Sequence, residues 1–475
     1  MNNKPGFDVR LFLGLFAISV LVNYYLPSFL RYFWFFGLLA TFLFTKNQNN
    51  YFWIVLFWLL FSTPGYLFYK TGLNHLPVIS IAGLGRNVYY DELFGILVVI
   101  KAFWRPVKQT VFYRNQLILI ILYSVFLLFL GLLSGNGILT ILKSVRYFIP
   151  LLMLIVIPRL IPYYSIQSLI KLMFISSFIL VGSQLFDIVF GYPIAAFFGE
   201  TQLMVSGKEV GSDFSAFDVA NGAIRTIYGP FTLLFSLVIS LVLLKEGGKT
   251  FRPWYLYMIS LLTTLSIFMS ATRGWIIASV LILAGMAIAQ NKKFSAYIFS
   301  GIIIILLAFS VPRLNTQIVQ SFKRVLTLEA LATGDLTAEG SLTRITERSP
   351  RVMNKFWEQP IWGFGFTDEY YEYADGHVGN QTLLLNGGIV GYIVFLYFIL
   401  FLLYKYYRAY SARKIKVMLF FILGLLALIT IHSTSSMVFG YALNVNAAIS
   451  LSLFFFFSDY YLKQRNVENH IPSPG

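Results

Sequence analysis

The feature that most constrains this chain is a succession of apolar runs, about seventeen to twenty-five residues each, from one end to the other. Each is long enough to cross ~30 Å of hydrocarbon as a helix. Fourteen are read, at about 11–27, 29–45, 51–69, 88–104, 115–133, 137–157, 166–190, 229–245, 254–270, 274–290, 294–311, 387–404, 416–432 and 444–459. Lipid cannot satisfy exposed backbone N–H and C=O groups, so helices are the default, and no alternating ten-residue pattern argues for a barrel. Composition agrees: 58% of residues are hydrophobic and 12% charged, with a mean hydropathy of +0.73, far from the soluble globular range. The first run follows only Lys4 and Arg10 and lacks a small-residue cleavage site, so it reads as a retained helix. Cysteine is absent, which removes disulfides and thiolate chemistry. The expected fold class is an all-α polytopic membrane protein: a bundle of about eleven helices over 1–311, a large loop over 312–386, and C-terminal helices with a short tail over 387–475.

Basic residues in short loops set the orientation. With the N-terminus inside, the inner segments hold more than half of the 36 Lys and Arg but only four of the 20 acids, Asp8, Glu246, Asp459 and Glu468. The net charge of +16 is therefore an asymmetry across the membrane and does not point to nucleic acid. Both termini fall inside, and His377, in "DGHVGNQTLLLNGGIVGY", looks outward.

Three outer segments exceed a turn, at about 70–87, 191–228 and 312–386. The last is the longest and reads as ordered. "LNTQIVQSFKRVLTLEALATG" puts Leu314, Ile318, Phe322, Val325 and Leu326 on one helical face, with Gln317, Gln320, Lys323 and Arg324 elsewhere, as suits a helix at the interface. A second helix is expected to start with Ser349 as N-cap and Pro350 at its first position, and to stop before Pro360. "GFGF" then turns the chain into the acidic, tyrosine-rich "TDEYYEYADGH".

Arginines recur at the outer ends of helices: Arg225 in "GAIRTIYGP", Arg273 in "SATRGW", and Arg344, Arg348 and Arg351 in the long loop. Charge at a membrane boundary is costly unless paired or used. Arg225 and Arg273 could simply snorkel to headgroups. Arg273 resists that account, because only "SATRG" separates two strongly apolar runs. Arginines gathered on one face suit a phosphate or pyrophosphate, which a planar guanidinium grips through two oxygens. His377 alone could as well cap a helix or touch headgroups.

"IRTIYGPF", "MSATRGWIIAS" and "SLTRITERSPRVMNKFWEQPIWGFGF…HVGNQTLLLNGGIVGY" resemble the bacterial O-antigen ligase and O-antigen polymerase superfamily. That family's loop shows an Arg, an aromatic, a Pro-x-x-Gly-x-Gly turn, His-Asn, and a Gly-x-x-Gly helix start. Arg344, Trp357, Pro360, Gly363, Gly365, His377, Asn380, Gly388 and Gly391 stand in those places. The resemblance covers about 220–405 by motif. Two departures stand out: "VG" separates His377 from Asn380, and Asn386 sits where an acid is frequent.

The resemblance implies a GT-C-like glycosyltransferase of the bacterial cytoplasmic membrane with a periplasmic active face. Its donor would be an oligosaccharide on polyprenyl (undecaprenyl) pyrophosphate, its acceptor a sugar hydroxyl on a lipid-linked unit or a lipid core, with a chain-length regulator as a possible partner. Arg225, Arg273, Arg344 and Arg348 would hold the pyrophosphate without a metal or other cofactor, since no Asp-x-Asp occurs on the outer face; Asp91–Glu92 keeps a metal site open. His377 would be the base, with Asp375 or Asp368 orienting it or serving instead. Trp357, Asn380 and Tyr370 would contact substrate, and His432 in "ITIHSTSSM" is a rival base. Arg225, Arg273, Arg344 and His377 should converge on one outward-facing site. Polymerase is favoured over ligase within the family. Outside it stand a lipid-linked oligosaccharide flippase, which would not need an ordered outer loop, and a structural assembly partner, which would leave the arginines unexplained.

Overall fold

The computed structural model describes residues 9–62, 76–81, 86–105, 110–134, 144, 146–190, 194, 203–205, 208–210, 218–219, 223–224, 228–247, 250–289, 295, 297–299, 301–303, 308–332 and 344–468. Ten helices lie on the first ten apolar runs: α1 (Val9–Tyr25), α2 (Ser28–Phe44), α3 (Asn50–Ser62), α4 (Tyr90–Trp104), α5 (Arg114–Leu133), α6 (Phe148–Leu160), α7 (Ile166–Phe190), α8 (Pro230–Glu246), α9 (Pro253–Met269) and α10 (Arg273–Ala289). The run at 294–311 falls largely outside the described residues. The long loop carries α11 (Pro312–Ala332), α12 (Ser349–Phe356) and α13 (Asp368–Tyr373), and the chain ends with α14 (Gly379–Ser411), α15 (Met418–Thr434) and α16 (Val445–Glu468). Three two-stranded antiparallel hairpins and short 3-10 turns at Asn47–Asn49 and Tyr163–Ser165 are also described. This is an all-α membrane protein apart from those hairpins. Four helical segments, Arg114–Leu133, Tyr163–Phe190, Gly379–Ser411 and Val445–Lys463, are long and apolar enough to cross a membrane.

Lipid and protein core both favour apolar side chains, so these helices need no polar stripe. Every residue of α3 is buried. By contrast α5 and α14 keep Leu122, Phe129, Ile393 and Leu400 exposed, as a lipid-facing side requires.

Packing divides the chain into two compact units. The first comprises Met1–Gln109, Val156–Ala271 and Lys292–Ser321; the second comprises Thr110–Ile155, Thr272–Asn291 and Phe322–Gly475. This grouping does not follow the linear order of the runs. α5 and α10 belong with the long loop and the C-terminal helices. Within the first unit, Tyr228 donates to the buried Asp187 carboxylate at 2.5 Å.

Three expectations for the long loop need correction. In α11 Gln317 is buried, donating to the Met269 carbonyl, while Phe322 is exposed; the buried side is set by that polar bond as well as by apolar spacing. Ser349 is not the N-cap of α12. A π-helical turn, Arg344–Arg348, runs straight into it, and Arg348 takes the cap position with helical φ and ψ. The helix expected from 387 begins at Gly379 and is broken at Gly388, where φ is 64° and ψ is −171°.

That break is matched by the turn expected at "GFGF". Gly363 (φ 68°) and Gly365 (φ 59°) adopt left-handed conformations that side chains resist. Phe364 N–H donates to Leu385 O at 2.9 Å and Gly365 N–H to Asn386 O at 2.8 Å, while Ile389 N–H donates to Pro360 O at 2.9 Å. Asn386 Nδ2 donates to Gly365 O at 2.6 Å. A Cβ on Gly388 would overlap the Ile361 carbonyl. The segment from Pro360 to Phe366 therefore clasps the interrupted helix and supplies the bonds its backbone lacks.

Candidate functional site

The candidate site is built on the carboxyl end of α15, in the second unit. A helix end leaves carbonyls without internal partners and carries partial negative charge, so it attracts cations. α10 packs along α15 through two glycines. A Cβ on Gly285 would overlap Leu423, and one on Gly274 would overlap the Ser435 hydroxyl. Only glycine lets α10 start so close to Thr434 and Ser435, and it carries Arg273 to the same place.

Arg344, from the π-helical turn, donates to the Thr434 carbonyl. Burial pushes its pKa down from the ordinary guanidinium value, and the neighbouring charges of Arg348 and Arg273 act in the same direction against Asp375. Arg344 stays a cation at neutral pH, so three guanidinium groups share one neighbourhood. One carbonyl further on, His377 Nδ1 lies 3.1 Å from Ser435 O. Consecutive Cα atoms are ~3.8 Å apart, so the imidazole and the Arg344 guanidinium, bonded to adjacent carbonyls, lie within roughly 10 Å of each other. A carbonyl only accepts, so Nδ1 donates to it, which leaves Nε2 of the exposed ring as the nitrogen that can act as a base.

The backbone around the histidine is fixed from below. Asp375 Oδ1 accepts the His377 main-chain N–H at 2.9 Å. Its Oδ2 faces Arg348 at 3.7 Å and Arg351 at 4.0 Å. Thr382 Oγ1 accepts from Asp375 N at 3.1 Å and donates to Asp375 O at 2.7 Å. Gly376 O receives Met437 N–H at 2.7 Å, and Asn380 Nδ2 donates to Ser433 Oγ at 2.9 Å. Gly379 sits against His432, where a Cβ would overlap the His432 carbonyl.

The structure thus brings together Arg273, Arg344, Arg348, Asp375, His377 and Asn380. Arg225 lies outside the described residues. Four roles change. Asp375 does not orient the imidazole: its carboxylate is engaged by a main-chain N–H and two arginines, and Ser435 O orients the ring instead. Tyr370 is 3% exposed, its ring packed against Phe366 and Tyr371, so it belongs to the core of the loop and cannot meet a substrate in this conformation. Burial raises its pKa further above the ordinary phenol value. His432 is buried, with Nδ1 accepting from Val438 N at 3.1 Å and Phe439 N at 3.3 Å; it shapes the turn and is not placed to act as a base. Asn380 holds Ser433. Asp368 is exposed in the first turn of α13, which Thr367 caps. Trp357 is 64% exposed and open to a ligand.

The residues missed by the sequence are Ser433, Thr434, Ser435 and Gly274. The only signal was the hydroxyl-rich "HSTSS" at the end of an apolar run. Among the described residues no three His, Asp or Glu side chains gather as a metal would require. Asp91 and Glu92 serve the start of α4, Glu92 Oε2 accepting Tyr89 N–H at 3.1 Å and Asp91 Oδ1 accepting Glu92 N–H at 2.9 Å. No protein-family model matches the chain, and no curated protein matches it significantly.

Proposed function

We propose that this chain is an integral-membrane glycosyltransferase of the O-antigen ligase and polymerase type, moving a glycan from polyprenyl pyrophosphate to a sugar hydroxyl, as a surface-polysaccharide polymerase in preference to a ligase. On this reading it is a GT-C-like bundle of about fourteen spans in the bacterial cytoplasmic membrane, with cytoplasmic termini and the long loop on the periplasmic side. One observation carries the reading. An imidazole with Nδ1 committed to Ser435 O and Nε2 open stands one residue along from the carbonyl that Arg344 grips, and Arg273 and Arg348 are close enough to Arg344 to act on its charge.

The chemistry follows from those groups. The acceptor hydroxyl gives its proton to His377 Nε2 as its oxygen attacks the anomeric carbon of the donor. The bond from that carbon to the pyrophosphate oxygen breaks, and the leaving group takes the electron pair. Its developing charge is met by the guanidinium forks of Arg344, Arg273 and Arg348. Arg344 is already partly desolvated and anchored on Thr434 O, so little reorganisation of that group is needed when charge develops.

The broken helix α14 favours one competing reading, because discontinuous helices bind substrates in transporters. Here, however, the main chain around the break is bonded to the Pro360–Gly365 clasp, which leaves those groups engaged within the protein. The site at α15 uses other residues.

The test is a reconstituted assay with lipid-linked oligosaccharide. Arg273→Lys keeps the charge and loses the fork, so turnover should fall strongly while the protein still reaches the membrane. Wild-type product levels at matched expression would reduce Arg273 to a headgroup anchor.

A further inference from the structure

The clasp raises a question of depth. α5 has 20 residues, and at 1.5 Å per residue it is ~30 Å long, the thickness of the hydrocarbon layer. Its two ends therefore mark the two edges of that layer, Arg114 at one and Leu133 at the other. Trp362 of the clasp packs its ring on Phe126, with centroids 5.3 Å apart. Phe126 lies about seven residues, roughly 10 Å, short of the Leu133 end. Gly365 lies against Leu127, where an added Cβ would come 2.6 Å from the carbonyl oxygen, and one on Gly131 would meet Phe366 O at 3.1 Å. The segment thus sits alongside the last two turns of a spanning helix and does not ride above its end.

α14 independently places the segment inside the layer as well. Lys405 and Arg408 mark its charged end, next to the Arg114 end of α5, where Phe112 stacks on Phe401 at 6.2 Å. Counting about twenty residues back from Tyr404 to fill ~30 Å places the far edge near Leu385, so Gly388 and its clasp partners lie roughly 5 Å inside. Within lipid, non-helical backbone survives only where protein satisfies it. This segment meets the condition, through its bonds to Leu385 O, Asn386 O, Ile389 N–H and the Asn386 side chain.

We propose that the segment from Pro360 to Phe366 is a re-entrant element that dips into the leaflet on the loop side and presents Ile361 and Trp362 to lipid acyl chains. These two side chains are 57% and 48% exposed, although large and apolar. They continue the exposed apolar sides of the two spanning helices that hold them, through Leu122 and Phe129 on α5 and Ile389 and Ile393 on α14. Lipid covers those sides, so the same leaflet covers the segment between them. This inference rests on the membrane-spanning helices and stands or falls apart from the proposed chemistry.

The chain has no cysteine, so single-cysteine variants of the full-length protein report one site each. Ile361→Cys is spin-labelled in phosphatidylethanolamine–phosphatidylglycerol liposomes, beside Ile393→Cys on the exposed side of α14 and Glu372→Cys on exposed α13. Collision rates with oxygen and with a water-soluble nickel chelate are compared. A ratio matching Ile393→Cys, several-fold above Glu372→Cys, is expected; a ratio equal to that of Glu372→Cys overturns the proposal. Trp362→Cys removes the ring from Phe126 and can disturb folding, whereas the Ile361 side chain is exposed and can be replaced without opening the core. As a second measurement, a membrane-impermeant maleimide should label unmodified Ile361→Cys at least about tenfold more slowly than Glu372→Cys in intact liposomes, because the reactive thiolate is disfavoured in apolar surroundings. The two should react equally after denaturation, and equal rates in intact liposomes also overturn the proposal.

Discussion

Replacing His377 with alanine separates chemistry from folding. The ring is exposed and makes one hydrogen bond, to Ser435 O at 3.1 Å. Losing it should cost about 0.5–1.5 kcal/mol of stability, the usual worth of such a bond. The turn itself should survive, because Asp375 holds the His377 main chain and not its ring. Turnover is another matter. Removing a general base costs ~10²–10⁴-fold, which is about 3–5 kcal/mol of barrier at 1.36 kcal/mol per tenfold. Donor binding should remain nearly intact, since Arg344 bonds Thr434 O independently of the imidazole. The assay is product formation by purified protein in liposomes with lipid-linked oligosaccharide, beside a donor-binding measurement on the same preparation. Residual product should rise at high pH, where the acceptor hydroxyl needs less help. Normal turnover in His377→Ala refutes the assignment, and a dead Asp368→Ala beside it would move the base to that exposed carboxylate.

Two substitutions should fail in the opposite way, through structure. His432→Ala leaves the Val438 and Phe439 N–H groups without their acceptor in a buried turn, at roughly 1–3 kcal/mol for each; thermal denaturation in detergent should fall well below wild type, and an unchanged midpoint would contradict the geometry. Gly388→Ala forces a side chain into a conformation that essentially only glycine adopts and into the Ile361 carbonyl, so about 1–3 kcal/mol should be lost to strain alone. The same denaturation measurement checks it, and wild-type stability would mean that the break is not rigid.

How much of this was legible in the sequence depended on the physics behind each feature. Helix positions were readable because lipid and core make the same demand, so most buried or lipid-facing positions are apolar. The arginines were readable because charge next to lipid is costly. The break at Gly388 was not, since the apolar run reads as starting at 387 and the helical turns before it, from Gly379, read as loop; only the Pro360 segment reveals why a helix should be interrupted there. Nor was the platform of the site. It consists of the carbonyls of Thr434 and Ser435, and a carbonyl has no side-chain signature. Asp375 and Tyr370 were misassigned for a related reason. Each is polar and lies close in sequence to His377, but packing in the fold decides its role: Arg348 and Arg351 for one, and for the other the ring of Phe366, which itself stacks on the distant Tyr147.

The residues that suggested a glycosyltransferase therefore do two kinds of work. Pro360, Gly363, Gly365 and Gly388 build the clasp together with Asn386, which departs from the family pattern; what matters there is absent side chains, left-handed backbone and one buried amide. Arg273, Arg344, Arg348 and His377 collect at the end of α15, where what matters is charge and a lone pair. The clasp would serve any protein that needed a rigid interrupted helix, so by itself it says little about a reaction. The argument for group transfer from a pyrophosphate rests on the second set alone. Within that set the choice of residue is informative. A helix carboxyl end can be capped by any donor, and lysine would suffice as a counter-charge. Three arginines and an imidazole whose proton position is fixed by Ser435 go beyond what capping requires, and that excess is what the activity assays examine.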